Sequence, residues 1–292
     1  MATKNIARII ASAAPHFVGD GFRVHNFIPS AYPLDMKRMD PFIMMDYNSK
    51  FYFPPTNTPR GVGVHPHRGF ETVTIAYKGK VAHHDSSGGG GIISEGDVQW
   101  MTAASGVLHK EYHEESFSKE GGEFQMVQLW VNLPAKDKMS TPKYQGIAND
   151  NIAKVTLPND AGFVEVIAGE FQGTKGSAST FTALHLQNAR LNKGGKVNFN
   201  LPNNFNTGIL VVEGEIKVNN GTLVPTDHFV LFENDGEEFS LEATENAVVL
   251  VLSGKPINEP IAAQGPFVMN TRDELVQAMD DFYAGKFGVL ED

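Results

Sequence analysis

The sequence predicts an all-β protein, a β-sandwich or barrel built twice in one chain. Twenty-nine glycines and sixteen prolines punctuate its 292 residues. Between them lie short runs rich in Val, Ile, Thr and Phe, such as ETVTIAYK, FQMVQLWVNL and NAVVLVLSG. Short strands at regular spacing with turn residues between them mark sandwiches and barrels. One such unit recurs in outline. TVTIAYKGKVAHHDSS and GILVVEGEIKVNNGTL each give an apolar strand, a turn at Gly79 or Gly214, and a second strand. A further strand follows in each half, at EGDVQWM and at PTDHFVLF. Two copies of one β-unit fit the length better than one irregular domain.

The elements follow in order. The N-terminal MATKNIARIIASAAPHF places Lys4 and Arg8 ahead of a short apolar run. That run is shorter than the apolar core of a secretory signal, so it reads as a strand entering the fold. Pro66 lacks an N–H and fixes φ, which makes GVGVHPH an edge strand or a strand entry. Gly88–Gly91 has no Lys-Ser or Lys-Thr after it and reads as a turn, not a phosphate loop. The small residues after Trp100 allow a tight turn into GVLHKEYHE. LPAKDKMSTPKYQGIANDN is rich in turn residues with little apolar periodicity, so the domains are expected at 1–145 and 146–292. The clearest helix is TRDELVQAMDDFYAGKF. Thr271 with Glu274 forms a capping box, Leu275, Met279 and Phe282 have helical spacing, and Gly285 is the stop.

Composition narrows the function classes. The absence of cysteine excludes disulfides, iron–sulfur clusters and thiolate zinc sites. A formal net charge of -10 argues against direct nucleic-acid binding, which needs a basic face. No run reaches the roughly 20 apolar residues of a membrane helix. The expected location is the cytoplasm.

Two histidine motifs carry the chemistry. His65 and His67 lie two residues apart, as do His109 and Glu111. In a strand, residues i and i+2 share a face. Each pair can therefore aim two ligand atoms into one cavity, a set that suits Fe, Mn, Co, Ni, Cu or Zn and leaves room for substrate. From the residues alone, either Glu71 or Glu111 could be the carboxylate, since Glu71 has the parity of His65 and His67. His113 reads as a rim residue. His83 and His84 are adjacent and cannot serve one site together, so they read as strand-end polar residues. Arg68, of opposite parity, is expected to bond a carboxylate or backbone outside the site. The second half has only His185 and His228, with no H-x-H pair, so its cavity is expected to be filled by side chains.

The stretches DPFIMMD, HPHRGFETVT, GDVQWMTAASGVLHKE, QLWVNLP and GPFVMNTRDELVQAMDDFYAGKFG resemble the pirin family of the cupin superfamily. The resemblance implies two tandem jelly-roll β-barrels (cupin domains) packed face to face, with a short C-terminal helix and a metal only in the first barrel. It implies metal ligands at His65, His67, His109 and Glu111, with Glu71 a neighbour of the site. It also implies one divalent transition metal, iron first, with Mn, Ni, Co, Cu or Zn as the alternatives. Some pirin-like proteins cleave flavonols such as quercetin with dioxygen; some act as iron-dependent transcriptional co-regulators. The expected function is therefore a quercetinase-type dioxygenase acting on a small aromatic or enediol-like substrate, with Glu111 as general base. The alternative is a metal-tuned regulator with a protein partner.

Overall fold

The structure is a computed structural model that describes residues 2–219 and 221–291. Its regular structure is overwhelmingly strand. The named strands pair antiparallel throughout, as hairpin-linked strands of a jelly roll do.

Contacts divide the chain into two compact units. The first comprises Ala14–Lys37, Pro41–Asn149 and the segment from Ile257 onward. The second comprises the segment up to Ala13, Arg38–Asp40 and Asp150–Pro256. These are not the contiguous halves 1–145 and 146–292 that turn composition points to. The reason is strand pairing between distant residues. Ile6–Ala11 pairs with His228–Phe232, which takes the N-terminal strand into the second unit. Arg68 bridges Phe267, which takes the C-terminal segment into the first.

In the first unit a seven-stranded sheet runs in the order Lys143–Ile147, Val98–Thr102, Phe70–Lys78, Gly122–Asn132, Phe42–Phe53, Phe22–Ile28, His16–Val18. A four-stranded sheet runs Gly61–His67, Val107–His113, Val81–Asp85, Gly90–Ile93. The second unit repeats both sheets in the same relative order. Phe70–Lys78 and Val81–Asp85 correspond to Asn206–Glu213 and Glu215–Val218. The two turns, at Gly79 (φ 82°) and Gly214 (φ 75°), both need the left-handed backbone that glycine adopts without strain. The repeat visible in the sequence is thus a repeat of two jelly rolls.

The same topological position carries different chemistry in the two units. Val107–His113 alternates strictly, with Val107, His109, Glu111 and His113 buried and the residues between them half-buried. Its counterpart Glu238–Ala243 buries Phe239, Leu241 and Ala243. Phe239 stacks on Phe199 and Phe232 at ring-centroid distances of 5.1 and 4.5 Å. The second barrel is therefore filled by apolar side chains, while the first turns imidazoles and carboxylates inward.

The C-terminal helix spans Arg272–Tyr283 with Thr271 as N-cap, and both halves of its capping box are formed. Leu275, Ala278 and Asp281 are its buried positions. A six-residue helix, Glu115–Glu120, also forms, capped by the Glu114 carboxylate. No helix among the described residues is long and apolar enough to cross a membrane.

Candidate metal centre

Three imidazoles converge in the first unit. His65 and His109 are directly opposed across the pair Gly61–His67 and Val107–His113. Opposed residues on one face lie close enough for their side chains to touch. His67 leans in from the same strand, giving ring-centroid separations of 4.2 Å (His65–His109) and 4.8 Å (His65–His67 and His67–His109). One nitrogen from each of the three lies within 4.8 Å of the others. Just past His109 the register slips, so that Glu111 pairs with Val62 rather than Gly63. Its carboxylate oxygen lies 4.0 Å from His109 Nε2. His83, His109 and Glu111 form a second set with ligand atoms within 4.8 Å.

The protonation states suit a metal. Burial, reinforced by the neighbouring imidazoles, holds His67 and His109 well below the usual histidine range, so both are neutral. Neutral imidazole is the ligating form. His65 Nδ1 lies 2.8 Å from the Gly63 carbonyl, which takes up one ring nitrogen and leaves Nε2 for the cluster. His67 Nδ1 is buried with no hydrogen-bond partner among the described residues. This donor set could hold one divalent transition metal.

Residues around the cluster fix its orientation. Gln128 donates from Nε2 to both Glu111 oxygens, at 2.9 and 3.1 Å, and Thr74 Oγ1 lies 3.4 Å from Oε1. His83 Nδ1 is 3.2 Å from His109 Nδ1, the His109 nitrogen turned away from Glu111. Behind it, the Gln99 carboxamide lies 3.3 Å from His83 Nε2, and Tyr144 stacks on the ring at 5.5 Å and 10°. Such outer contacts select the tautomer and angle of a ligating histidine.

The structure corrects several sequence expectations. His83 is not a strand-end residue: it is fully buried, because it lies directly opposite Glu111 in the sheet. The parity argument holds for its neighbour, since His84 is exposed. His113 is not on a rim. It is buried among Phe22, Phe53, Phe117 and Phe124, with Nε2 2.8 Å from the Gly21 carbonyl. Burial brings its pKa down to about 4. Glu71 loses the parity of His65 and His67 because Gly61–His67 and Phe70–Lys78 are separate strands in separate sheets. Gly69 breaks them apart, at φ 92°, where a Cβ would lie 2.0 Å from the Val268 carbonyl oxygen. Glu71 instead accepts a 2.7 Å hydrogen bond from Thr102, and burial pushes its pKa up to about 7.

The C-terminal segment braces the H-x-H strand. Arg68 is buried and bonds a backbone carbonyl and a carboxylate, as its parity anticipates: it donates to the Ser105 carbonyl (2.7 Å) and to Asp281 of the C-terminal helix (2.8 Å). Its guanidinium lies over the Phe287 ring at 4.6 Å. The buried Lys138 donates to the Gly69 and Val268 carbonyls and to Asn132.

Beside the cluster opens a cavity of about 390 Å³, to which His65, His67 and Glu111 contribute. Its other walls are mainly apolar, with Phe22, Met44, Val62, Met126, Trp130 and Pro266. A cavity of this size accepts a small organic molecule.

Two jelly rolls in one chain, with a histidine-rich cavity in one of them, define a bicupin. The pirin family profile matches residues 21–131, and the profile of the pirin C-terminal cupin domain matches residues 186–288. The chain belongs to the pirin family. A Pseudomonas aeruginosa protein that carries quercetin 2,3-dioxygenase as a provisional name is 45% identical, over 97% of this chain and 98% of its own. A tomato (Solanum lycopersicum) pirin-like protein is 36% identical, over 92% of this chain and 88% of its own. A crystal structure of quercetin 2,3-dioxygenase from Acinetobacter baumannii superposes with a TM-score of 0.93 at 46% identity, covering 99% of this chain and all of that one.

Proposed function

We propose that this chain is a metal-dependent dioxygenase of the quercetinase type, opening the ring of a flavonol with dioxygen. The observation that supports this most is the convergence of three imidazoles, with the Glu111 carboxylate 4.0 Å from His109, beside an apolar cavity of about 390 Å³. The naming of the Pseudomonas and Acinetobacter relatives supports the substrate class.

In this reading His65, His67, His109 and Glu111 hold one divalent ion, with iron the first choice among ions that accept such ligands. When bound, the metal supplies Lewis acidity and a path for electrons between the organic substrate and dioxygen. The chain's own residues do the rest. Trp130, Met44 and Met126 enclose a flat ring and exclude water. Gln128 and Thr74 hold the Glu111 carboxylate in place. Glu111 accepts the proton of the flavonol hydroxyl, as a positioned carboxylate can.

Glu111→Gln tests this. Three imidazoles remain, so the variant should still load at saturating metal though with weaker affinity, while turnover of the metal-saturated protein should fall by about 100-fold or more. Full turnover in this variant removes Glu111 from the chemistry. Metal retained by the unmodified protein without flavonol turnover favours the regulatory alternative.

A further inference from the structure

Phe42–Phe53 contributes three alternate residues to the cavity: Met44, Asp46 and Asn48. The first continues the apolar wall. The other two interrupt it. Asn48 is 2% exposed, and neither its amide nitrogen nor its amide oxygen has a hydrogen-bond partner among the described residues. A carboxamide carries two donors and an acceptor, and leaving them buried and unpaired is destabilising. Asn48 has both of its side-chain polar atoms in this state.

Asp46 sits beside it. Asn26 donates to its Oδ1 at 2.7 Å, and burial raises its pKa despite that bond. Its place relative to the metal cluster follows from register. Asp46 pairs with Gln128, whose amide holds Glu111, so it lies one strand spacing, about 4.8 Å, beyond that residue. Asn26, Asp46, Gln128, Thr74 and Gln99 form one polar row across five adjacent strands. Three of the five already bond His83 or Glu111. Asp46, hydrogen-bonded to Asn26, and Asn48, two residues along the strand on the same face, line the cavity instead.

We propose that Asp46 and Asn48 form a specificity-determining pair that recognises ring hydroxyl groups on a hydroxylated aromatic substrate. This rests on the reading of the cavity as a flavonol site. A phenolic hydroxyl donates to the Asp46 carboxylate or the Asn48 oxygen, and accepts from the Asn48 amide nitrogen. Adjacent ring hydroxyls can use both residues at once. A carboxylated aromatic is disfavoured, because it would bring a second anion to Asp46. The apolar walls at Trp130 and Met126 then select for flatness, and the pair selects for hydroxylation.

The test is anaerobic binding to the metal-loaded protein, followed by flavonol absorbance, of galangin, kaempferol and quercetin. These share the fused-ring hydroxyls and carry no, one and two hydroxyls on the pendant ring. The unmodified protein should bind quercetin about tenfold more tightly than galangin, the preference expected of one net hydrogen bond. That ratio should collapse toward one in Asn48→Leu and should fall in Asp46→Asn, whose neutral amide is a weaker acceptor than the carboxylate, with metal content retained in both. Asp46→Asn is isosteric and carries the test if Asn48→Leu fails to fold. A ratio that persists in both variants, or is absent from the unmodified protein, overturns the pair and leaves flavonol binding standing. No binding of any of the three overturns both the pair and the flavonol reading.

Discussion

Gln128→Met removes the amide that holds Glu111, and its effect can be worked out from the structure. The carboxylate is buried and accepts two bonds from one nitrogen, at 2.9 and 3.1 Å. The Thr74 hydroxyl at 3.4 Å is a weaker contact. Hydrogen bonds to a charged group contribute about 1.5–3 kcal/mol, and the two here share one donor group, so about 2 kcal/mol is the expected loss in the metal-free protein. For a unit of this size that is about 4–8 °C in Tm. Loss of the orienting bond should also weaken metal binding by about 10–100-fold. A bound cation compensates the carboxylate, so the drop in Tm should be smaller in the metal-saturated protein. The assays are thermal melts with and without metal, and competition for metal against a chelator. A variant whose metal affinity stays within twofold, and whose metal-free Tm does not move, would refute the assigned role of Gln128.

Two further predictions concern the frame around the site. Arg68→Met leaves Asp281 partly paired, because Lys286 (2.7 Å) and Gln277 (2.8 Å) still bond its other oxygen. The expected cost is therefore near the low end for breaking a buried ion pair, about 3 kcal/mol, read by chemical denaturation; a cost under about 0.5 kcal/mol would show that the brace is idle. Glu71→Gln should stabilise the protein at neutral and alkaline pH. The folded pKa of about 7 lies above the ordinary 4.5, so this carboxyl's contribution is fully present below pH 4.5 and is lost as pH rises through 7. The variant should flatten that part of the stability profile and gain up to about 3 kcal/mol at pH 8. An unchanged profile in denaturant melts between pH 4.5 and 8 would contradict the shift.

Much of the fold was legible because its signals are local. Alternation in VLHKEYH, the glycine turns and the capping box at Thr271 each need only a few neighbouring residues, and the structure forms all of them. The i, i+2 rule also brought His65, His67 and His109 to attention, and the structure places them together. What was missed depends on pairing between distant strands. His83 enters the interior because it faces Glu111, 28 positions later, and neither strand reveals that register alone. Gln128 carried a signal: it is a polar residue inside the apolar run FQMVQLWVNL, three positions from Gln125, hence on the opposite face. Gln125 bonds the Tyr47 hydroxyl, while Gln128 bonds Glu111. Glu71 misled because parity was carried across Gly69, where the strand ends. His113 misled because polarity was taken for exposure, whereas Phe117 of the short helix and Phe124 close over it.

The central claim is that flavonol oxidation takes place at the histidine cluster of the first unit. Aerobic loss of quercetin's visible absorbance tests it most directly, on protein reconstituted separately with Fe, Mn, Ni, Co and Cu, beside a His65→Ala control. The account predicts turnover with at least one ion and its collapse in the control. Stoichiometric metal with no turnover for any ion, or turnover undiminished in His65→Ala, would contradict it.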